Sequence, residues 1–363
     1  MRFKELTAEQ RRIAIDSIQL YDHIRETSTQ FRDFKGGLHW KKVGDREYLV
    51  RTIDRYGHER SLGPRSAETE REYREFIANK QSHRSALKSL QIELGVRAKF
   101  CVAAGVNRVP RIAADIVRSL DTAGLLGEHL IVLGSHALYA YEMMAGIQLK
   151  AGLLQTEDLD TLLNTKSEIE LAGRIRNLGL IGILQRVDRT FKPQRKRSFR
   201  AVNERGFMVD LIRAPLDAAA RTGLTTIGKQ NDLLAEPLRG LEWLATSPRV
   251  SQIVIADNGY PVRFVVPDPR LFALHKLWVS LQPTRDPIKR KRDLRQGEAA
   301  AGLAHDYLNM KFDTAFLKAV PAELRAMERG LIKRLHERRS KSLDTKSALP
   351  AGFEDLDSAT DEE

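Results

Sequence analysis

One stretch, Leu130 to Asp160, limits what this chain can fold into more than any other. It opens on four apolar residues, Leu130-Ile131-Val132-Leu133, which read as a buried strand. Gly134-Ser135 ends that strand, and a helical pattern with Leu138, Tyr141 and Met144 on one face runs to Gly146. Asp158-Leu159-Asp160 follows. Side chains alternate along a strand, so both carboxylates face one way while Leu159 faces the core. Two carboxylates on one face repel each other, and a divalent cation between them removes the repulsion. Gly134-Ser135 offers what a phosphate needs: a turn without bulk, a hydroxyl, and the positive N-terminus of the helix starting near His136. Ser135 also reads as a plain helix N-cap, a role compatible with phosphate binding. The stretch reads as half of a metal site with a phosphate-sized turn beside it.

The other half is Asp210, set in Phe207-Met208-Val209-Asp210-Leu211-Ile212. A lone carboxylate between apolar neighbours has to be hydrogen-bonded, protonated, ion-paired or metal-bound, because burying it bare costs several kcal/mol. A strand carrying Asp158 and Asp160 beside one carrying Asp210 gathers three carboxylates. Three can hold two magnesium ions, or manganese in their place, and two ions can clamp an in-line phosphoryl transfer.

The order apolar-Gly-Ser, helix, Asp-x-Asp and a third acid on a later strand resembles the DNA polymerase β-like nucleotidyltransferase superfamily. The wording from Gly134 to Glu142, with Glu157-Asp158-Leu159-Asp160, is similar to a bacterial branch of stand-alone nucleotidyltransferases, as is the N-terminal stretch from Gly37 to Ser66. One departure is the gap between the glycine-serine turn and the acid pair, which is longer than usual and leaves room for a strand near Gly146–Leu154 or a loop over the site. Further on, Leu271–Leu277 and Lys291-Arg292-Asp293 show a looser similarity to AbiEii-type toxin nucleotidyltransferases, some of which modify transfer RNA. The resemblance implies transfer of a nucleoside monophosphate from a nucleoside triphosphate to an acceptor hydroxyl, with RNA favoured as acceptor. Asp158, Asp160 and Asp210 would be catalytic and hold the metal. Gly134 and Ser135 would cradle phosphates, Lys276 would meet the triphosphate, and Arg292 and Asp293 would shape the nucleotide pocket. An antitoxin-like protein partner is a further implication.

The rest of the chain fits an α+β protein in four parts. Residues 1–109 read as a helical and small β-sheet module, 110–268 as a mixed-sheet nucleotidyltransferase core, 269–345 as a helical region and 346–363 as a disordered acidic tail. Within the first part, 3–35 and 66–106 read as helices flanking strands at 38–43, 47–53 and near Ser61-Leu62. The boundary falls at Pro110, which disfavours helix at Val109 and can open the next helix. Downstream, 168–184 reads as helix, Leu184–Phe191 as strand and Lys192–Arg197 as a basic loop. Hairpins at 198–213 and 253–266 follow, then the amphipathic helix Arg270–Leu281.

Net charge is +12, and six acids in the last thirteen positions mask more: residues 1–350 carry +18. Such a surplus suits a polyanion, and a solvated basic surface is the plainer alternative. The single cysteine, Cys101, excludes a disulfide framework or a cysteine zinc cage and fits a reducing cytoplasm. No secretory h-region and no membrane span stand out. The rival class is a catalytically silent nucleotidyltransferase fold that binds nucleic acid or protein through its basic face. His136, Tyr139, Tyr141 and Trp278 read as packing residues.

Overall fold

The computed structural model describes residues 3–34, 36–53, 57–164, 179–215, 232–331 and 333–334. Most of the stretch 168–184 and the acidic tail 346–363 lie outside the described residues. The described residues separate into two compact units. One comprises Leu6–Arg118 and Ile253–Arg263; the other comprises Met1–Glu5, Ser119–Gln252 and Phe264–Glu363.

A two-residue strand, β1 (Lys4–Glu5), precedes the smaller unit. That unit begins with helix α1 (Ala8–Gln30), started by a reciprocal capping box: Thr7 Oγ1 accepts from the Gln10 amide at 3.1 Å, and the Gln10 side chain accepts from the Thr7 amide at 3.0 Å. Strands β2 (Leu38–Val43), β3 (Arg46–Thr52) and β4 (Glu59–Pro64) form an antiparallel meander. The long helix α2 (Ala67–Ala103) follows as one piece, opened by Ser66 and Thr69 in the same reciprocal arrangement, with a threonine where glutamate is usual. Tyr21 and Ile24 of α1 pack with Leu94 of α2 and with Ile253. The Arg65 guanidinium lies over the Trp40 ring at 5.1 Å while pairing with Glu47 and Glu70, so these residues are used within the unit.

Helix α3 (Arg111–Thr122) starts just after Pro110 and leads to the larger unit. There β5 (Leu130–Val132) is followed by α4 (Gly134–Ala145), which ends on left-handed Gly146. The extra length before the acid pair holds β6 (Ile147–Gln148), which pairs with β1, and a single turn, α5 (Ala151–Leu154). Then come β7 (Asp158–Leu163), α6 (Gly179–Val187), β8 (Lys192–Pro193), β9 (Arg200–Val202), β10 (Met208–Arg213), β11 (Glu236–Pro237) and α7 (Leu241–Ala245). The described strands make a mixed sheet in the order β5-β7-β10-β9-β8, with β11 on β10. β7 and β10 are parallel, and β5 and β9 flank them antiparallel. The fold is α+β.

Two expectations change here. Leu184–Phe191 is not a strand: Leu184 to Val187 close helix α6, whose Leu180, Ile183 and Leu184 share a buried face at helical spacing. Asp188 then turns the chain by accepting from the Thr190 amide and hydroxyl at 2.9 and 2.7 Å. The basic loop is also partly regular, since Lys192–Pro193 adds β8 to the sheet edge. The remaining elements are the hairpin β12 (Arg249–Ile255) and β13 (Pro261–Pro267), helices α8 (Pro269–Ser280) and α9 (Pro287–Gly302), a π turn (Leu303–Tyr307) and α10 (Thr314–Lys318).

Candidate active site

Parallel pairing of β7 with β10 sets Asp160 opposite Asp210 and Asp158 opposite Met208. Leu159 and Leu211, alternating with the acids, are fully buried, which fixes the face on which Asp158 and Asp160 sit. The Thr161 hydroxyl donates to the Asp210 carbonyl at 2.8 Å, and the Leu133 amide donates to the Asp160 carbonyl at 2.9 Å. The second bond seats the start of α4 against β7. Gly134 is there with φ +62°, and a Cβ at this position would overlap the Asp160 carboxylate. The glycine therefore serves close approach of the turn to the acid as much as chain reversal. Thr156 donates its hydroxyl to Asp158.

The charges of this centre are unevenly matched. The protein packed around the Asp160 carboxyl pushes it up to about 7, and Asp158 and Asp210 push the same way against the pull of Lys276 and Arg200. Asp210 is buried and held by Arg200, its antiparallel neighbour on β9, through two bonds: Nε to Oδ1 at 2.6 Å and Nη2 to Oδ2 at 2.5 Å. Burial drives the His136 ring down to about 4 against the opposing pull of Asp158. It is a neutral packed histidine whose ring lies 5.9 Å from Tyr139 and 6.4 Å from Phe207.

Ser135 is not the N-cap. The helix begins at Gly134 with Leu133 in the cap position, and Ser135 Oγ instead meets Gln296 Nε2 of α9 at 2.8 Å. The same amide donates to the Leu153 carbonyl at 2.7 Å, tying the turn, α5 and α9 together. Helix α9 approaches α8 closely because Gly297 is small: a Cβ there would lie 2.9 Å from the Ala273 carbonyl oxygen. This brings Asp293, fully buried, to Lys276 Nζ at 2.7 Å and to Arg285 Nε at 2.8 Å. Arg292 points elsewhere, reaching the Gln155 carbonyl at 3.4 Å and lining an open cleft of about 860 Å³ between α5 and α9.

Residues 111–321, more than half of the chain, match a family model described as nucleotidyltransferase. The chain belongs to this nucleotidyltransferase family. No curated protein and no solved structure matched it. Membership makes the protein an enzyme of nucleotidyl transfer, with a nucleoside triphosphate as donor, and decides against the silent binding fold. No described helix is long and apolar enough to cross a membrane.

The nucleotidyltransferase raises the question of a metal. Asp158 and Asp160 are hard oxygen donors on one strand face, and the upward push on Asp160 is the cost that a cation would relieve. This pair fits a divalent ion. Asp210 is less available, since each of its oxygens already accepts a bond from Arg200. No set of three or more acids, histidines or cysteines placed to hold a metal ion is found among the described residues. Of the expected site residues, Gly134, Ser135, Asp158, Asp160 and Asp210 come together in the nucleotidyltransferase around β7. Lys276 and Asp293 form a neighbouring ion pair, and Arg292 lies in the cleft. Sequence reading missed Arg200, Arg285 and Gln296. The hairpin expected to turn at Asn203-Glu204-Arg205 would set residue 198 opposite residue 210; the turn is instead centred on Arg205, with Val202 opposite Met208, and this shift brings Arg200 to Asp210.

Proposed function

We propose that the enzyme transfers a nucleoside monophosphate from a nucleoside triphosphate to a hydroxyl of RNA, in a magnesium-dependent reaction at Asp158, Asp160 and Asp210. The observation that carries this reading is the pair Asp158 and Asp160 on one strand beside Asp210, with Asp160 packed against the Gly134 turn. The acceptor oxygen attacks the α-phosphorus, the bond from that phosphorus to the β-bridging oxygen breaks, and pyrophosphate leaves. The bound metal supplies charge neutralisation for the phosphates and the entering oxygen. Gly134 and Ser135 receive the β and γ phosphates, where helix α4 adds its positive end. Asp158 and Asp160 orient the reacting groups. Asp210, once free of Arg200, accepts the proton of the acceptor hydroxyl, and the released guanidinium remains beside the developing negative charge. The net charge of +18 over residues 1–350 favours RNA over a neutral acceptor.

The test is incubation with each nucleoside triphosphate labelled at the α-phosphate, magnesium and total cellular RNA, beside the double variant Asp158→Ala/Asp160→Ala. Label is expected in RNA for the wild type, with a drop of about 10³-fold or more in the variant. Equal labelling by a folded variant would overturn the assignment. Label in protein and not in RNA would retain the transfer and replace the acceptor.

A further inference from the structure

The cleft between α5 and α9 is lined by Lys150, Lys291, Arg292 and Arg295 around a floor of Leu153, Pro287 and Ile288. We propose that it binds the backbone of single-stranded RNA and so presents the acceptor hydroxyl to the acids on β7; the acceptor role rests on the RNA-directed transfer proposed above, and the binding does not.

Four cations and no carboxylate line this cleft. None of the four makes an ion pair with a carboxylate among the described residues, whereas other surface cations of the chain do: Arg12 with Glu9, Lys41 with Glu59, Arg65 with Glu47 and Glu70. Buried Arg292 Nε has no hydrogen-bond partner among the described residues, a donor kept dry and left unused. Lys291 and Arg295 are one helical turn apart on α9 and share a face, so their charges form a short row and not a single point. A row of cations suits a chain of phosphates. A triphosphate is better served by donors that converge on one point.

The floor adds a second requirement. Ile288 is 82% exposed beside Pro287, so an apolar surface faces solvent between the charges. A ligand with an anionic edge and flat apolar bases matches both features. A volume of about 860 Å³ lies near the top of the range for small-ligand pockets, roughly 300–1,000 Å³. That volume suits a nucleotide or two of a single strand. The cleft is also physically joined to the acid centre: Leu153, in its floor, accepts from the same Gln296 amide that donates to Ser135.

The test measures binding without nucleotide or magnesium, so that it reports on the cleft alone. Anisotropy of a fluorescein-labelled 12-nucleotide single-stranded RNA is followed from 50 to 200 mM salt for wild type, for Lys150→Glu/Lys291→Glu/Arg295→Glu, and for Asp158→Ala/Asp160→Ala. The three cleft residues are exposed, so the charge reversal leaves the fold intact, as a melting curve checks. The cleft variant is expected to bind at least about tenfold more weakly, with the salt slope reduced by about 2, the value for three lost phosphate contacts on a single strand. The aspartate variant is expected to keep its affinity. Unchanged RNA affinity and slope in the cleft variant would overturn the proposal. In a separate titration with a fluorescent nucleoside triphosphate, loss of its binding by the cleft variant with RNA affinity intact would also overturn it and assign the cleft to the donor. Cleft-dependent RNA binding with label transferred only to protein would overturn the acceptor role and the RNA-directed reading, while leaving the RNA site standing.

Discussion

Asp293 and Asp160 belong to the same unit, and both have lost most of their contact with water, yet the protein treats them in opposite ways. Around Asp293, burial pushes the carboxyl up, but the charge of Lys276 and the bonds from Lys276 and Arg285 outweigh it and hold the group below the usual carboxylate range. Around Asp160, burial pushes in the same direction, two further carboxylates add to it, and the group rises to about 7. The first acid is over-supplied with cations and acts as a clasp between α8 and α9. The second is under-supplied, a state that folding alone does not favour. A chain keeps such a cost where something absent from the chain relieves it, and in a nucleotidyltransferase that is a cation arriving with the phosphates.

The sharpest way to break this contrast is Asp293→Asn. The variant leaves Lys276, nearly buried, without its counter-charge, and Arg285 with only a neutral acceptor. Removing one partner of a buried pair costs about 3–5 kcal/mol, and the lower end applies because Arg285 is one-third exposed. Urea denaturation at neutral pH should show a loss of about 3 kcal/mol. A variant as stable as the wild type would mean that Asp293 is not the clasp.

The two centres also differ in how legible they were. The acid centre is written in short range: alternation in Asp158-Leu159-Asp160, an apolar frame around Asp210, a glycine where the chain turns. These local rules place all three acids on adjacent strands, and the structure adds the reason for Gly134, its contact with Asp160. The Lys276–Asp293 clasp was not legible, because it depends on how two helices pack, and the sequence offers only a lysine and an aspartate seventeen residues apart. Gln296 was hidden for the same reason, since its partners Ser135 and Leu153 come from far earlier in the chain. The misread strand at Leu184–Phe191 shows the limit of short apolar runs, which fit a buried helix end as well as a strand until tertiary contacts decide.

Asp160→Asn should act in the opposite direction to Asp293→Asn. The substitution keeps the shape that packs against Gly134 and removes one of three mutually repelling charges. In metal-free buffer the variant is expected to gain about 2 kcal/mol, read from the same urea titrations, while losing nucleotidyl transfer. The contrast would fail if the two asparagine variants shifted stability in the same direction.

The smallest effect tests the surroundings of the clasp by pH. His275 sits on α8 next to Lys276, with the rings of Trp278 and Trp243 at 6.1 and 6.4 Å. Burial pushes it down to about 3, helped by the charges of Lys276 and Arg285 and opposed by Asp293. Its folded value is below the ordinary 6.5, so the unfolded chain takes up the proton first as pH falls. The stability contributed by keeping this ring neutral is therefore complete above pH 6.5 and is lost progressively towards pH 3, at no more than about 1.4 kcal/mol per pH unit. His136, pushed to about 4, adds a slope of the same sign at the acid centre and stays in place when His275 is replaced. His275→Gln is thus expected to flatten the loss of stability between pH 6 and pH 5 by about 1 kcal/mol without abolishing it. An unchanged slope would show that the ring takes its proton inside the fold. The cations around Asp293 would then be more open to water than the clasp requires, and the two carboxylates would differ less than their partners suggest.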